Sequence, residues 1–231
     1  MAIGLKLRNL LFVIHAVPPE RLVALLPEGL ELDLRDTPDG PRAFTATVAL
    51  EAGAAFPYVL SGFRQVNYRI YVRHGGEAGV LFLRSWVSSR AAAAAMSLAI
   101  PTEHASVELT IVNEPHAYSR YSVHGRSGDH FLEFEAAACE HWDLGPFASQ
   151  QDAVHFLTHR LNGFTVSAAK KGLAVVRVNH APMAPIPAQV SAGRADQWTE
   201  TGLLTAEEVS RPLLALIQPA VQFDMNLPEK L

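Results

Sequence analysis

The sequence predicts an α+β fold in which an antiparallel sheet carries a few short helices outside it. Three observations lead there. Residues 65–73 alternate without a break: Val66, Tyr68, Ile70 and Val72 take one face, and Gln65, Asn67, Arg69, Tyr71 and Arg73 the other. That is the period of a β-strand. Alternation returns in 43–50, with Phe44, Ala46, Val48 and Leu50 on one face, and in 130–139, where Leu132, Phe134 and Ala136 oppose Phe131, Glu133 and Glu135. Helical signals, by contrast, are brief and bounded by capping residues, proline or glycine. Many strands and few short helices, with no internal repeat, linker or composition break, predict one antiparallel α+β domain over residues 1–231.

Taken in order, residues 7–17 are largely apolar and read as a buried strand. Pro18-Pro19 opens a short helix with Leu22, Leu25 and Leu26 as its buried stripe; Pro27 and Gly29 end it. Residues 30–34 form a short strand, and Thr37 to Pro41 (TPDGP) is a turn by residue type. The strand 43–50 leads into a loop, 51–62, over one end of the sheet. The strand 65–73 turns at His74-Gly75-Gly76-Glu77 into a return strand, 79–87. Ser88 or Ser89 caps a helix through Leu98, and Pro101 disfavours helix at Ile100. Residues 104–113, 117–124 and 130–139 are three more strands, and Ser127 to His130 (SGDH) is the turn before the last of them. Ser149 to Asp152 (SQQD) caps a helix whose stripe is Ala153, Phe156, Leu157 and Leu161. Residues 163–168 and 173–180 form a hairpin across Lys170-Lys171-Gly172. Thr205 to Glu208 (TAEE) fits a capping box; Pro212 breaks that helix or starts another; 219–225 is a last strand.

Composition sets the broad class. A chain of 231 residues, 49% hydrophobic and 18% charged, is globular with room for a substantial core. A net charge of −4 with no basic run argues against nucleic acid as the partner. Cys139 is the single cysteine, so no internal disulfide forms and a reducing cytoplasm is the expected location. It reads as a small core residue in an alanine-rich strand. Lys6 and Arg8 interrupt the first apolar run, so no signal peptide is read. The longest apolar stretch, 91–100, falls far short of the roughly 18–20 residues of a membrane span, so no membrane partner is expected. Only Lys6, Lys170, Lys171 and Lys230 are lysines, which confines Schiff-base chemistry to four positions.

Three stretches carry a family resemblance: PPERLVALLPEGLELD (18–33), FRQVNYRIYV (63–72) and VNHAPMAPIP (178–187). They resemble the acetoacetate decarboxylase-like superfamily, and most of all its uncharacterised YqjF-like branch, typified by a strand of the form F-x-E-V-N-x-R-x-Y-V. The landmarks keep the family's order from about Arg8 to Pro187. The resemblance implies an antiparallel β cone or barrel-like sheet around a closed central pocket, with helices outside and no cofactor. In the decarboxylases a lysine pair follows the proline after the small-residue helix. One lysine forms a Schiff base with a β-keto acid and its neighbour depresses its pKa, because an amine attacks a carbonyl only when unprotonated. The matching positions after Pro101 are Thr102 and Glu103, and neither forms an imine. The family's central-strand glutamate is matched by Gln65, and its substrate-facing arginine by Arg8.

Arg8, Gln65, Asn67, Arg69 and Thr102 are therefore the candidate ligand-binding residues, although the polar face of 65–73 could equally face water. Glu103 and His104 are the candidate acid–base groups, but strand neighbours point to opposite faces, so one of them should lie outside the pocket. Lys170-Lys171 reads as a solvated turn, and His180 as a buried, hydrogen-bonded structural residue. His155 and His159 share a helix face at i, i+4, yet residues 156–158 are Phe-Leu-Thr and the H-E-x-x-H metal pattern is absent. No nucleophile elbow, P-loop or dinucleotide fingerprint is present. The expected function is binding of a small anionic or carbonyl-bearing organic molecule in a central pocket, without a Schiff-base lysine. The alternatives are a non-decarboxylating lyase, aldolase or hydrolase using Glu103, His104 or Arg8, and a non-catalytic binding protein. Homo-oligomer formation is left open.

Overall fold

The computed structural model describes residues 2–54, 62–114, 117–167 and 172–231. The strands are β1 (Ala2–Val17), β2 (Glu31–Leu32), β3 (Arg35–Thr37), β4 (Gly40–Ala54), β5 (Phe63–His74), β6 (Glu77–Val87), β7 (Thr102–His104), β8 (Ser106–Glu114), β9 (Ala117–Ser127), β10 (His130–Ala138), β11 (Asn162–Ser167), β12 (Gly172–Asn179), β13 (Ile186–Ala195), β14 (Leu214–Asn226) and β15 (Glu229–Lys230). The helices are α1 (Glu20–Val23), α2 (Arg90–Met96), α3 (Gln150–Thr158), α4 (Asp196–Thr199) and α5 (Ala206–Ser210).

Neighbouring strands run β12-β11-β6-β5-β4-β1-β14, and pairing of β12 with β14 at Val178 and Met225 closes them into a ring. The ring is not a regular barrel. From β14 the sheet continues through β13, β10, β9 and β8. Most pairs are antiparallel; β6 pairs in parallel with β11 and β7. The β6–β11 crossing is close enough to demand glycine: a Cβ on Gly79 would stand 2.5 Å from the carbonyl oxygen of Asn162.

Period 2 puts different side chains on the two faces of each strand, and here both faces are buried. Leu11 and Val13 of β1, Ala49 of β4, and Val66, Tyr68, Ile70 and Val72 of β5 join one core, with Trp86, Tyr121, Phe134 and Trp198. Leu10, Phe12 and Ile14, then Phe44, Ala46, Val48 and Leu50, then Phe63 and Tyr71, join the other. That second core is covered by α2 through Ala92 and Ala93 and by α3 through Ala153, Phe156 and Leu157. Capping fixes where the covering helices begin. Ser89 accepts from the Ala92 N–H at 3.3 Å, and Ser149 accepts from the Asp152 N–H at 3.1 Å. Thr205 and Glu208 form the capping box of α5.

The alternation of 43–50 and 65–73, the cap signals, the hairpins at 74–77 and 127–130, and the pairing of 162–167 with 172–179 all appear as expected. The turn at Lys170-Lys171 lies outside the described residues. Other expectations need correction. Residues 51–54 continue β4, because Leu50, Glu51 and Ala52 pair with Gln65, Arg64 and Phe63; 55–61 lie outside the described residues. Leu25 is 38% exposed, because α1 is a single turn that buries Leu22, while Leu26 beyond it packs against the first core. The proline-rich 183–187 runs directly into β13, a strand the sequence reading missed. Cys139 is half-buried rather than a core residue, its thiol donating to the His141 carbonyl at 3.3 Å.

Burial on β1 predicts a pH dependence. His15 is 3% exposed, and its Nε2 lies 3.3 Å from the Val209 carbonyl. Burial pushes its pKa down to about 4, against a smaller upward pull from that carbonyl. Between pH 6.5 and 4 the unfolded chain takes up a proton that the folded chain refuses, so stability falls as pH falls, by about 3 kcal/mol over the interval. His15→Gln keeps a donor for the carbonyl and does not titrate. Urea unfolding at pH 7 and pH 4.5 should lose more stability in the native chain than in the variant. Equal losses would show that His15 is not the group responsible.

Candidate functional site

The expected site residues divide by face, and strand register decides which meet. Gln65 pairs with Val87, Asn67 with Ser85 and Arg69 with Phe82 across β5 and β6. Ser85 and Val87 pair in turn with Thr102 and His104 of β7. Cross-strand partners share a face. Gln65, Asn67, Arg69, Ser85 and Thr102 therefore lie on the face of the second core, where Val48 and Leu50 of β4 oppose Asn67 and Gln65.

This polar row is buried rather than wet. Gln65 is 6% exposed, Asn67 7% and Ser85 fully buried. Asn67 Oδ1 accepts from Gln65 Nε2 at 2.6 Å and from Ser85 Oγ at 2.7 Å. With its oxygen used twice, Asn67 has its amide N–H groups left to donate. Arg69 is half-buried, its guanidinium over the rings of Phe12 at 5.3 Å and Tyr71 at 5.7 Å. Its Nε is buried without a hydrogen-bond partner among the described residues. A buried donor left unpaired costs about 1–3 kcal/mol. Thr102 spends its hydroxyl on the Ile100 carbonyl at 3.0 Å.

Arg8 does not join them. Leu7 and Leu10 face the second core, and Arg8, one residue on from Leu7, takes the opposite face and is exposed. The cause is a bulge. Register with β4 shifts between Arg8 and Leu11, and Asn9 has a φ of 52°. Asn9 is locked there: it donates to Glu51 at 2.9 Å and accepts from Tyr118 at 2.9 Å and, at its carbonyl, from Tyr121 at 2.7 Å.

Glu103 and His104 separate as the strand period requires. Glu103 pairs in register with Trp86, on the face of the first core, and lies 3.6 Å from Arg84. One of its oxygens is buried without a hydrogen bond among the described residues, as are the Tyr68 hydroxyl and Trp86 Nε1. Burial drives the Tyr68 pKa well up. His104 is exposed on the other face, so the two do not form an acid–base pair. His155 and His159 lie together, ring centroids 5.1 Å apart, with His180 5.4 Å from His159. His180 is 7% exposed and its Nδ1 lies 2.8 Å from the Ala181 carbonyl. No group of three or more His, Cys, Asp or Glu among the described residues is arranged to hold a metal. No helix there is long and apolar enough to cross a membrane.

One cluster escaped the sequence reading. Arg160, 7% exposed, donates to the carboxylate of Asp33 and to the Phe156 carbonyl. Arg73 lies 3.4 Å from the same carboxylate. Arg35 donates to Asp152 at 2.9 Å and stands 4.6 Å over the Phe156 ring. The pair Asp33–Arg160 spans 127 residues of sequence, and no local pattern announces it.

Comparison with known proteins agrees with this architecture. The profile of DUF2071, a family of uncharacterised conserved proteins, matches residues 5–222. No curated protein matches the chain. Among solved structures, an acetoacetate decarboxylase-like enzyme from Sphingomonas wittichii RW1 is similar over 100% of this chain and 92% of its own, with 15% identity and a TM-score of 0.65. Acetoacetate decarboxylase from Legionella pneumophila is similar over 98% of this chain and 86% of its own, at 11% identity and a TM-score of 0.64. The enduracididine biosynthesis enzyme MppR, complexed with pyruvate, is similar over 98% and 89%, at 12% identity and a TM-score of 0.58. At such identities the likeness is one of fold.

Proposed function

Given that the chain belongs to the DUF2071 family, on an acetoacetate decarboxylase-like fold, we propose that it binds a small carboxylate- or carbonyl-bearing organic molecule on the Gln65–Asn67–Arg69 face of β5, without forming an imine. The observation that carries this reading is the Asn67 arrangement. A buried amide whose oxygen is held by both Gln65 and Ser85 offers its N–H groups, beside a half-buried guanidinium whose Nε has no hydrogen-bond partner among the described residues. Those donors suit a carbonyl or carboxylate oxygen and repel nothing in it. Two structures of the similar fold contain pyruvate and its condensation product with imidazole 4-carboxaldehyde, so a keto acid is the first class to try. The carboxylate is assigned to Arg69 rather than Arg8, which is exposed on the opposite face. By the sequence resemblance, Thr102 and Glu103 match the positions of the decarboxylases' lysine pair, which supports a ligand held by hydrogen bonds and charge alone.

Asn67→Leu tests the reading. The substitution is close in volume and removes both donors. A hydrogen bond to a charged group contributes roughly 1.5–3 kcal/mol, or about tenfold to a hundredfold in affinity. Calorimetric titration with pyruvate and with acetoacetate should show saturable binding that weakens by that factor in the variant. Unchanged affinity in folded Asn67→Leu would place the ligand elsewhere.

A further inference from the structure

Where the β2–β3 segment, the end of β5 and the last turn of α3 meet, the fold leaves a cavity of about 370 Å³ lined by Asp33, Arg35, Arg73, His155, His159 and Arg160, with Phe156 in its wall. We infer that this cavity is a binding site for a small oxyanion, a carboxylate or phosphate group, distinct from the Asn67 site and farther along the same strand. Arg73 lies six residues beyond Asn67 on β5, about 20 Å at the rise of a strand.

Charge and rigidity both favour an oxyanion here. Three guanidinium groups line the cavity, against Asp33 inside it and Asp152 beside it. Positive charge is therefore in excess before either imidazole takes a proton. Arg160 alone has the look of a helix cap, since it meets a carbonyl at the C-terminal end of α3, where cations are favoured. Its Nε goes to Phe156 and a terminal nitrogen to Asp33, so it forms a fixed floor. Arg73 is the looser group. It lies 3.4 Å from the Asp33 carboxylate, donates to the Gly76 carbonyl and keeps a side chain 42% exposed at the rim of the cavity. Arg35 and Arg160 both lie against the Phe156 ring, at 4.6 and 4.1 Å, which holds them apart and in place. Guanidinium groups in such fixed positions match the paired oxygens of carboxylate and phosphate. The His159 pKa is held below its ordinary value, by burial first and then by His180, His155 and Arg160. The volume lies within the range of small-molecule sites. The same two imidazoles line a second recess of about 890 Å³ with Trp142, Pro182 and Met183, so an oxyanion on a larger organic body has room.

The test is a titration of the whole chain with inorganic phosphate and, separately, with malonate. The readouts are calorimetry and the NMR signals of the His155 and His159 rings. Arg160→Ala is a poor variant because it endangers folding. Arg73→Gln and His155→Leu change residues at the open rim. Saturable one-to-one binding is expected, with both ring signals moving and affinity falling about tenfold in Arg73→Gln. Binding of phosphate alone, of malonate alone, or of both identifies the group as phosphoryl, carboxylate or either. No saturable binding of either anion overturns the inference. So does binding that leaves the two rings unmoved, or that is unchanged in both variants.

Discussion

Trp198→Ala should lower the melting temperature by roughly 6–20 °C, at about 2–4 °C per kcal/mol for a chain of this size. Trp198 is fully buried on α4. Its ring meets Tyr68 edge-on at 5.4 Å, and its Nε1 donates to Thr47 Oγ1 at 2.8 Å. It thus ties the helix that follows β13 to β4 and β5. Truncating a buried aromatic costs about 3–5 kcal/mol through lost transfer energy and the cavity left behind. The unpaired Thr47 hydroxyl adds to that. Trp198→Phe separates the two parts, since it fills most of the volume and loses only the hydrogen bond; it should cost about 1–2 kcal/mol. Chemical denaturation of the three proteins gives the comparison. A loss under about 1 kcal/mol for Trp198→Ala would mean that this contact does not join the two halves of the sheet.

Arg160→Ala should cost about 3–5 kcal/mol, because removing one member of a buried ion pair strands the other. Asp33 is 7% exposed, and its remaining partner, Arg73, is the more exposed group at 3.4 Å. The guanidinium also covers the Phe156 ring at 4.1 Å and stands 5.2 Å over Tyr71, so packing is lost with charge. Burial holds the Arg160 pKa below its ordinary value, and Asp33 opposes that shift. The distinguishing experiment is a double-mutant cycle with Asp33→Leu. Replacing both charges by apolar groups should recover a large part of the loss, since no charge is then stranded. If the double variant is as unstable as the sum of the single ones, the pair is not coupled and this description of the α3 terminus is wrong.

The strands were legible in the sequence because their period is local. Residues 65–73 alternate so strictly that the shared face and burial of Val66, Tyr68, Ile70 and Val72 follow from sequence order alone. Caps were legible for the same reason: Ser89, Ser149 and Thr205 act on N–H groups three residues away. What depends on the opposite strand was not legible. Residues 51–54 read as a loop from their Gly and Ala content but are held in β4 by pairing with β5. The bulge at Asn9 turns Arg8 outward, and nothing in 1–17 signals it, because the groups that fix it are Glu51, Tyr118 and Tyr121. The polar face of β5 read equally well as wet or buried; the covering helices α2 and α3 decide the matter, and both come later in the chain. The separation of Glu103 from His104 was legible, being a consequence of strand geometry. The cluster of Asp33, Arg73 and Arg160 was not, since a buried ion pair between distant segments has no period.

Borohydride trapping distinguishes a ligand held by hydrogen bonds from one held as an imine. A keto acid held by an imine becomes a stable secondary amine on reduction; one held by hydrogen bonds and charge washes away. The protein is incubated with acetoacetate or pyruvate and sodium borohydride, and its intact mass and peptides are measured. An unchanged mass is expected, with Lys6, Lys170, Lys171 and Lys230 all unmodified. A stoichiometric adduct on any of these lysines would show that the Schiff-base chemistry has moved within the fold, and would contradict the reading of Asn67 and Arg69 as the groups that hold the ligand.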